Sequence, residues 1–226
     1  MKVAIIGAGL SGLSCAHELK MGGIIPTIFE KKDFIGEILD FQTILINSAN
    51  FPFYGDPFKF LHKKYNITIK PQYNIREILT YSPNKKLYSA MGKHGYIIKR
   101  GRASDSIENQ IAQAVDLPVQ FNTQVNIDDI INDFDHIVVA TGNYMDPQQF
   151  NLLTPTLQAL TRVATVIGDF KTDSISTWWH MDYCNNGYGY LVPYSPKEAR
   201  LILVVNRITS LSFRSFIHRP LIKLVT

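Results

Sequence analysis

Cysteine is scarce in this 226-residue chain, with Cys15 and Cys184 the two it contains. Two thiols cannot build a disulfide framework, which excludes a stapled secreted scaffold and fits a reducing, cytoplasmic setting. Long apolar runs are missing as well. No stretch reaches the ~18 residues that a transmembrane helix needs, and the opening MKVAIIG lacks the architecture of a signal peptide. Charged residues make up 19%, and a net charge of +4 is too mild to imply nucleic-acid binding. Internal repeats and low-complexity segments are absent. Against these absences stand 46% hydrophobic residues, 13 Phe and 11 Tyr, enough to bury a core and to exclude a disordered chain.

Two further absences are local. After Glu198 there is no acidic residue, and after Gly189 the last 37 residues contain no glycine. From Tyr183 onward the basic residues Lys197, Arg200, Arg207, Arg214, Arg219 and Lys223 face the single acid Glu198, so the whole positive excess sits at this end. In residues 207–226 apolar and basic side chains alternate. Such a tail suits either peripheral docking on an anionic membrane surface or self-association, and Pro220 interrupts any long helix there.

Along the chain, KVAII at residues 2–6 reads as a short buried strand closed by glycines. Leu10, Leu13, Ala16 and Leu19 mark one face of a helix that ends at Gly22-Gly23, and TIFE at 27–30 reads as a second strand. This is one βαβ unit in about 30 residues. Residues 31–95, rich in aromatics, Pro and Asn, read as an irregular insertion with short strands in IKPQYNI and KLYSAM. GYIIKRG predicts a strand and Ser104–Val115 a helix with Ile107, Ile111, Ala112 and Val115 on its apolar face. PVQFNTQVNI predicts a pair of short strands, and DHIVVATG an apolar strand ending in small residues. VATVIGDF, GYGYLVP and ARLILVVN predict further strands, the last two joined by the hairpin signal YSPKE.

The chemistry-bearing signal is IIGAGLSGLSCAHEL, in which Gly7, Gly9 and Gly12 form G-x-G-x-x-G between a strand and a helix. Gly7 permits the tight turn, Gly9 lets a pyrophosphate approach the backbone, and Gly12 lets the helix pack closely on the sheet. The helix N-terminus, at Leu10 and Ser11, offers free N–H groups and the positive end of the helix dipole to phosphates. Glu30, followed by Lys31, closes the next strand. Its carboxylate can accept from both hydroxyls of an adenosine ribose and would repel a 2′-phosphate.

The run from this motif through EKKDFIGE resembles the FAD-binding start of the flavoprotein oxidoreductases of the p-hydroxybenzoate-hydroxylase-like superfamily, and within it the geranylgeranyl-reductase-like members. Three further segments resemble the same family. YIIKRGRASDSIENQIAQA is similar to its strand, arginine and helix unit, which implies Arg100 near the FAD phosphates or ribityl chain. NTQVN resembles the segment whose backbone meets the adenine, implying Gln124 and Val125. FDHIVVATGNY resembles the ATG motif, implying Thr141 and Gly142 against the dinucleotide. The family's later Gly-Asp segment, which opens a glycine-rich helix start, has no counterpart. Gly55-Asp56 runs straight into Pro57, and Gly168-Asp169 lies in a strand-like run. The resemblance therefore implies a member shortened at its C-terminus.

Other clusters carry less. His180, Asp182 and Cys184 fall within five residues but lack second-half ligands, so no metal is expected. Cys15 reads as a small core residue rather than a redox thiol. Asn66-Ile67-Thr68 is formally a glycosylation sequon without any secretion signal. No catalytic residue can be named, and a flavoenzyme needs none of the usual acid–base constellations. The expectation is an α/β fold: a Rossmann-like FAD/NAD(P)-binding domain at 1–145 containing the insertion at 31–95, then a smaller β-rich substrate lobe with its basic tail at 146–226. The expected function is that of an FAD-dependent oxidoreductase with NAD(P)H as reductant, acting on a small molecule of unknown identity, for which the resemblance implies a prenyl or other apolar compound. The alternatives are a dehydrogenase using NAD directly at Gly7–Gly12, and a non-catalytic dinucleotide-binding remnant.

Overall fold

Val3–Ile6 form strand β1, and all four side chains are buried. A continuous apolar run of this kind belongs to a parallel strand covered on both faces. β1 lies between β2 (Thr27–Phe29) and β9 (His136–Val139), parallel to both, with Ala4 opposite Thr27 on one side and Ile137 on the other. The short β8 (Val119–Gln120) pairs in parallel with β2, giving the order β8-β2-β1-β9. The computed structural model describes residues 1–37, 40–46, 55–82, 86–88, 92–142, 159–179 and 187–205, the side chains of 86–88 excepted. These residues divide into two compact units, one drawn from 1–43, 51–71 and 98–154, the other from 44–50, 72–97 and 155–226.

In the first unit, helix α1 (Leu10–Met21) buries Gly12, Leu13, Ala16 and His17. The buried face is thus rotated from the expected Leu10–Leu19 stripe, because the small residues Gly12 and Ala16 let the helix press onto the strand layer. Lys20 reaches from this helix to the end of α3 (Ile107–Val115), donating to the Val115 carbonyl at 2.7 Å and so capping a helix C-terminus with a cation. α3 begins at Ile107 rather than at Ser104, because the Ser106 hydroxyl accepts from the Asn109 N–H at 3.3 Å and sets the cap. The expected strand pair in PVQFNTQVNI is a single strand. Asn122 turns the chain at φ 54°, and the N–H groups of Asn122 and Thr123 donate to the carbonyls of Lys32 and Glu30 instead of to a ladder. Helix α4 (Ile127–Ile130) follows. The insertion holds an unforeseen helix, α2 (Pro57–Tyr65). Asp56 caps it through bonds from Phe58 and Lys59, Pro57 occupies its first turn, and Asn66 closes it in the left-handed region.

The second unit is built on a six-stranded sheet of order β10-β13-β12-β11-β5-β6, from β10 (Leu160–Ile167), β13 (Glu198–Val205), β12 (Tyr188–Ser195), β11 (Ser174–Trp178), β5 (Glu77–Tyr81) and β6 (Lys86–Tyr88). The expected hairpin is present: Leu191 faces Leu201 and Tyr190 faces Ile202 across β12 and β13. Pro193 sits inside β12, tolerated where a bulge shifts the register before Ser195. Alternation sends Leu191, Leu201, Leu203 and Val205 to one face with Trp178, and Val192 and Ile202 to the other with Ile175, Ile75 and Ile97. Ile75 belongs to β4 (Tyr73–Ile75) and Ile97 to β7 (Gly95–Arg100), members of a small sheet of order β3-β7-β4 whose third strand is β3 (Phe41–Ile46). Gly95, at φ +148°, is required there, since a Cβ would lie 1.9 Å from the Leu45 carbonyl oxygen.

Gly12 is the tightest point in the first unit: a Cβ would lie 1.9 Å from the Gly7 carbonyl oxygen, whereas a Cβ at Gly9 meets nothing within 4 Å. Gly12→Ala should therefore cost about 2 kcal/mol or more in urea unfolding, and Gly9→Ala no more than about 1 kcal/mol. Equal losses for the two variants would contradict this packing.

Candidate functional site

Where β1 gives way to α1, the Gly7 N–H donates to the Phe29 carbonyl at 2.8 Å, holding the turn against β2. Gly7 has φ +108°, and a Cβ on it would lie 2.7 Å from the Ala140 carbonyl oxygen, so both conformation and space demand glycine. Gly9 caps α1 without a side chain of its own, and the first turn carries no acid. The first N–H groups of a helix have no acceptor within it, and here they lie beside the open approach left by Gly9.

Glu30 is 5% exposed and held by two main-chain donors. Its Oε2 accepts from the Ala8 N–H at 2.9 Å and its Oε1 from the Lys32 N–H at 3.0 Å. Each carboxylate oxygen keeps a lone pair for a further donor. The geometry thus fixes the acceptor at the end of β2 and couples it to the glycine loop through Ala8.

These elements wall a cavity of about 410 Å³, within the range of small-molecule sites. The glycine loop contributes Gly7, Gly9, Leu10 and Ser11, and the end of β2 contributes Glu30 and Lys31. Gln124 and Val125 come from the loop after β8, Thr141 and Gly142 follow β9, and Arg100 ends β7. Gly12 alone of the expected residues is not on the wall; it lies beneath Gly7 as the contact that lets the helix approach. The cavity also takes in Lys32, Gly36, Glu37 and Glu108, which sequence reasoning did not single out. Gly36, in the FIGE run, was legible as a glycine needing positive φ, here +90°. Glu108 carried no such signal, because a carboxylate on an amphipathic helix reads as solvent-facing.

Arg100 is already engaged. Its Nε donates to Glu108 Oε1, its guanidinium approaches Glu37 Oε1 at 3.6 Å, and it lies 5.5 Å from the Phe41 ring centroid. Glu108 is completely buried. Among the described residues, Glu108 Oε2 and the buried Thr141 Oγ1 have no hydrogen-bond partner, and both residues border the cavity. A glycine turn open at Gly9 before a helix N-terminus and a Glu30 carboxylate held by main-chain donors are what a pyrophosphate and a ribose need, so the residues present fit the ADP half of a dinucleotide.

Other candidates fall away from this cavity. Among the described residues no group of three His, Cys, Asp or Glu side chains could hold a metal, and no helix is long and apolar enough to cross a membrane. His180, Asp182 and Cys184, like the tail at 207–226, lie outside the described residues. Burial pushes the Cys15 thiol up from its ordinary value, the opposite of an activated thiolate. In a Cys184→Ser variant, alkylation by iodoacetamide should be slow at neutral pH and accelerate only in alkali, later than free cysteine does; rapid labelling at pH 7 would contradict the burial effect.

The sequence matches the NAD(P)-binding Rossmann-like domain over residues 5–46. Flavin-containing monooxygenase 3 of Oryctolagus cuniculus is 34% identical over 116 residues, which is 41% of this chain and 21% of the monooxygenase. A geranylgeranyl bacteriochlorophyll reductase-like protein from Thermoplasma acidophilum matches with TM-score 0.64 at 11% identity, over 96% of this chain and 60% of that one. CtdE, crystallised with FAD and a substrate, matches with TM-score 0.58 at 14% identity, over 93% of this chain and 58% of its own. The chain therefore spans a fifth of the monooxygenase and about three fifths of these two solved structures. With its Rossmann-like domain, parallel sheet and second β-rich unit, the chain has an α/β fold similar to that of the geranylgeranyl bacteriochlorophyll reductase-like protein.

Proposed function

We propose that the chain is an FAD-dependent oxidoreductase that holds the ADP half of FAD in the glycine-loop cavity and exchanges hydride with an apolar substrate, NAD(P)H serving as reductant. One observation carries the reading. An unobstructed approach at Gly9 lies in the same cavity as a carboxylate, Glu30, that two main-chain N–H groups hold in place. A pyrophosphate needs the first and an adenosine ribose the second.

In this arrangement the N–H groups at Leu10 and Ser11 take phosphate oxygens. Glu30 accepts from the ribose hydroxyls, and its charge disfavours a 2′-phosphate. The main chain at Gln124 and Val125 takes the adenine, and the Thr141 hydroxyl gains the partner it lacks. Bound flavin supplies the redox chemistry, while the protein supplies orientation and exclusion of water.

An apolar substrate is supported by a row of stacked rings on the second unit. Trp179 and Tyr188 lie 5.2 Å apart and Tyr188 and Tyr190 5.7 Å apart between centroids, with Trp179 51% exposed. Burial, with Tyr188 nearby, pushes the Tyr190 hydroxyl up, so it stays a neutral donor at physiological pH. The low cysteine count supports a cytoplasmic setting. For the basic tail, self-association or a partner contact is the favoured reading and an anionic membrane surface the second.

The description of the matched segment as NAD(P)-binding favours one competing reading, NAD held directly at Gly7–Gly12. A spectrum separates the two. The purified protein should show an oxidised flavin band near ~450 nm, and Gly9→Val should abolish both the band and ADP binding with little change in melting temperature. Colourless protein that binds NAD but not FAD would hand the site to the NAD reading. Undiminished flavin in Gly9→Val would move the site away from the glycine loop.

A further inference from the structure

We propose that Glu108, with Glu37, makes the Arg100 end of the cavity a charge filter, so that the site accepts an ADP extended by a neutral sugar or polyol and rejects an ADP extended by further phosphate. This rests on the dinucleotide reading above and adds the residues that decide what lies beyond the pyrophosphate.

The starting point is charge. The cavity wall carries three cations, Lys31, Lys32 and Arg100, and three carboxylates, Glu30, Glu37 and Glu108. One cation is locally outnumbered: Arg100 donates to Glu108 and approaches Glu37 at 3.6 Å, leaving that cluster with a formal charge of −1. Lys32 is also occupied, donating to the Gly36 carbonyl. An arginine free to clamp phosphate presents its bidentate fork to the ligand; here the Nε edge is turned to a carboxylate.

Burial sets the strength of the effect. Glu108 has no exposed surface, so its charge is screened far less than that of Glu37, whose side chain is 38% exposed. The backbone at Gly36 also passes close to Glu108, since a Cβ there would lie 3.2 Å from its side chain. Its Oε2 has no partner among the described residues. Glu37 is the accessible carboxylate of the pair, and because a carboxylate oxygen can only accept, a hydroxyl suits this wall and a phosphate oxygen, itself an acceptor, does not. Glu108 is thus a positioning residue for Arg100 and a specificity determinant of the cavity.

The test is calorimetric titration of the full chain, freed of bound flavin, with ADP, ADP-ribose and ATP. The parent should bind ADP-ribose more tightly than ATP. Glu108→Gln keeps the side-chain volume and an oxygen for Arg100 but removes the charge. It should shift the ATP to ADP-ribose affinity ratio toward ATP by about fivefold or more, the scale of one weakly screened charge at short range. Glu37→Gln should shift the ratio in the same direction by less, and it keeps the proposal testable if Glu108→Gln does not fold. A parent that prefers ATP, or folded variants in which all three ligands weaken in parallel, would overturn the filter. A parent that binds ADP, with folded variants that leave the ratio unchanged, sinks the filter alone, whereas a parent that binds no adenine nucleotide sinks the dinucleotide reading with it.

Discussion

The close approach of α1 to the start of the sheet is the constraint on which the first unit depends. The β-carbon of any residue but glycine at position 12 would run into the Gly7 carbonyl oxygen. With glycine there, the helix meets the turn, and its first N–H groups come to lie at the edge of a cavity. Gly7 is pressed in turn against Ala140 at the end of β9, so β1, β9 and α1 converge on one spot. The same contact explains why Thr141 and Gly142 border the cavity although they lie far along the chain from the loop. Packing at one glycine thus gathers chain segments that the sequence keeps far apart.

Buried carboxylates do the remaining positioning. A carboxylate out of water is tolerated when donors or cations surround it. Glu30 meets that condition through the N–H groups of Ala8 and Lys32, and Glu108 through Arg100 on one oxygen. The two differ in what they leave over. Glu30 is held by neutral donors and keeps its full charge toward the cavity, whereas Glu108 shares its charge with a guanidinium.

How far the sequence reveals this depends on the range of the interaction. The βαβ start, Glu30 and the β12–β13 hairpin are written in local spacing, and they stand where the residues place them. Helix α2 was also written locally, as Asp56-Pro57 before Phe58. In a segment of irregular composition, however, that cap reads as a failed glycine–aspartate motif. β9 has an apolar sequence, yet Val139 is 44% exposed, because the strand ends the sheet's described order and composition does not tell an edge from a centre. The loop at Thr123–Val125 looks like a strand by alternation, but the positive φ of Asn122 spends its backbone donors on Glu30 and Lys32. The engagement of Arg100 with Glu37 and Glu108 was out of reach altogether, since it depends on three segments meeting in space.

Unsatisfied oxygens at the cavity wall bear on stability as well as on recognition. A buried acceptor or hydroxyl without a partner costs about 1–3 kcal/mol, and among the described residues Glu108 Oε2 and Thr141 Oγ1 have no protein partner. A fold whose stability margin is only some 5–15 kcal/mol feels two such groups. A ligand that supplies a donor to one and an acceptor to the other returns part of this energy, on top of the mass-action stabilisation any bound ligand brings.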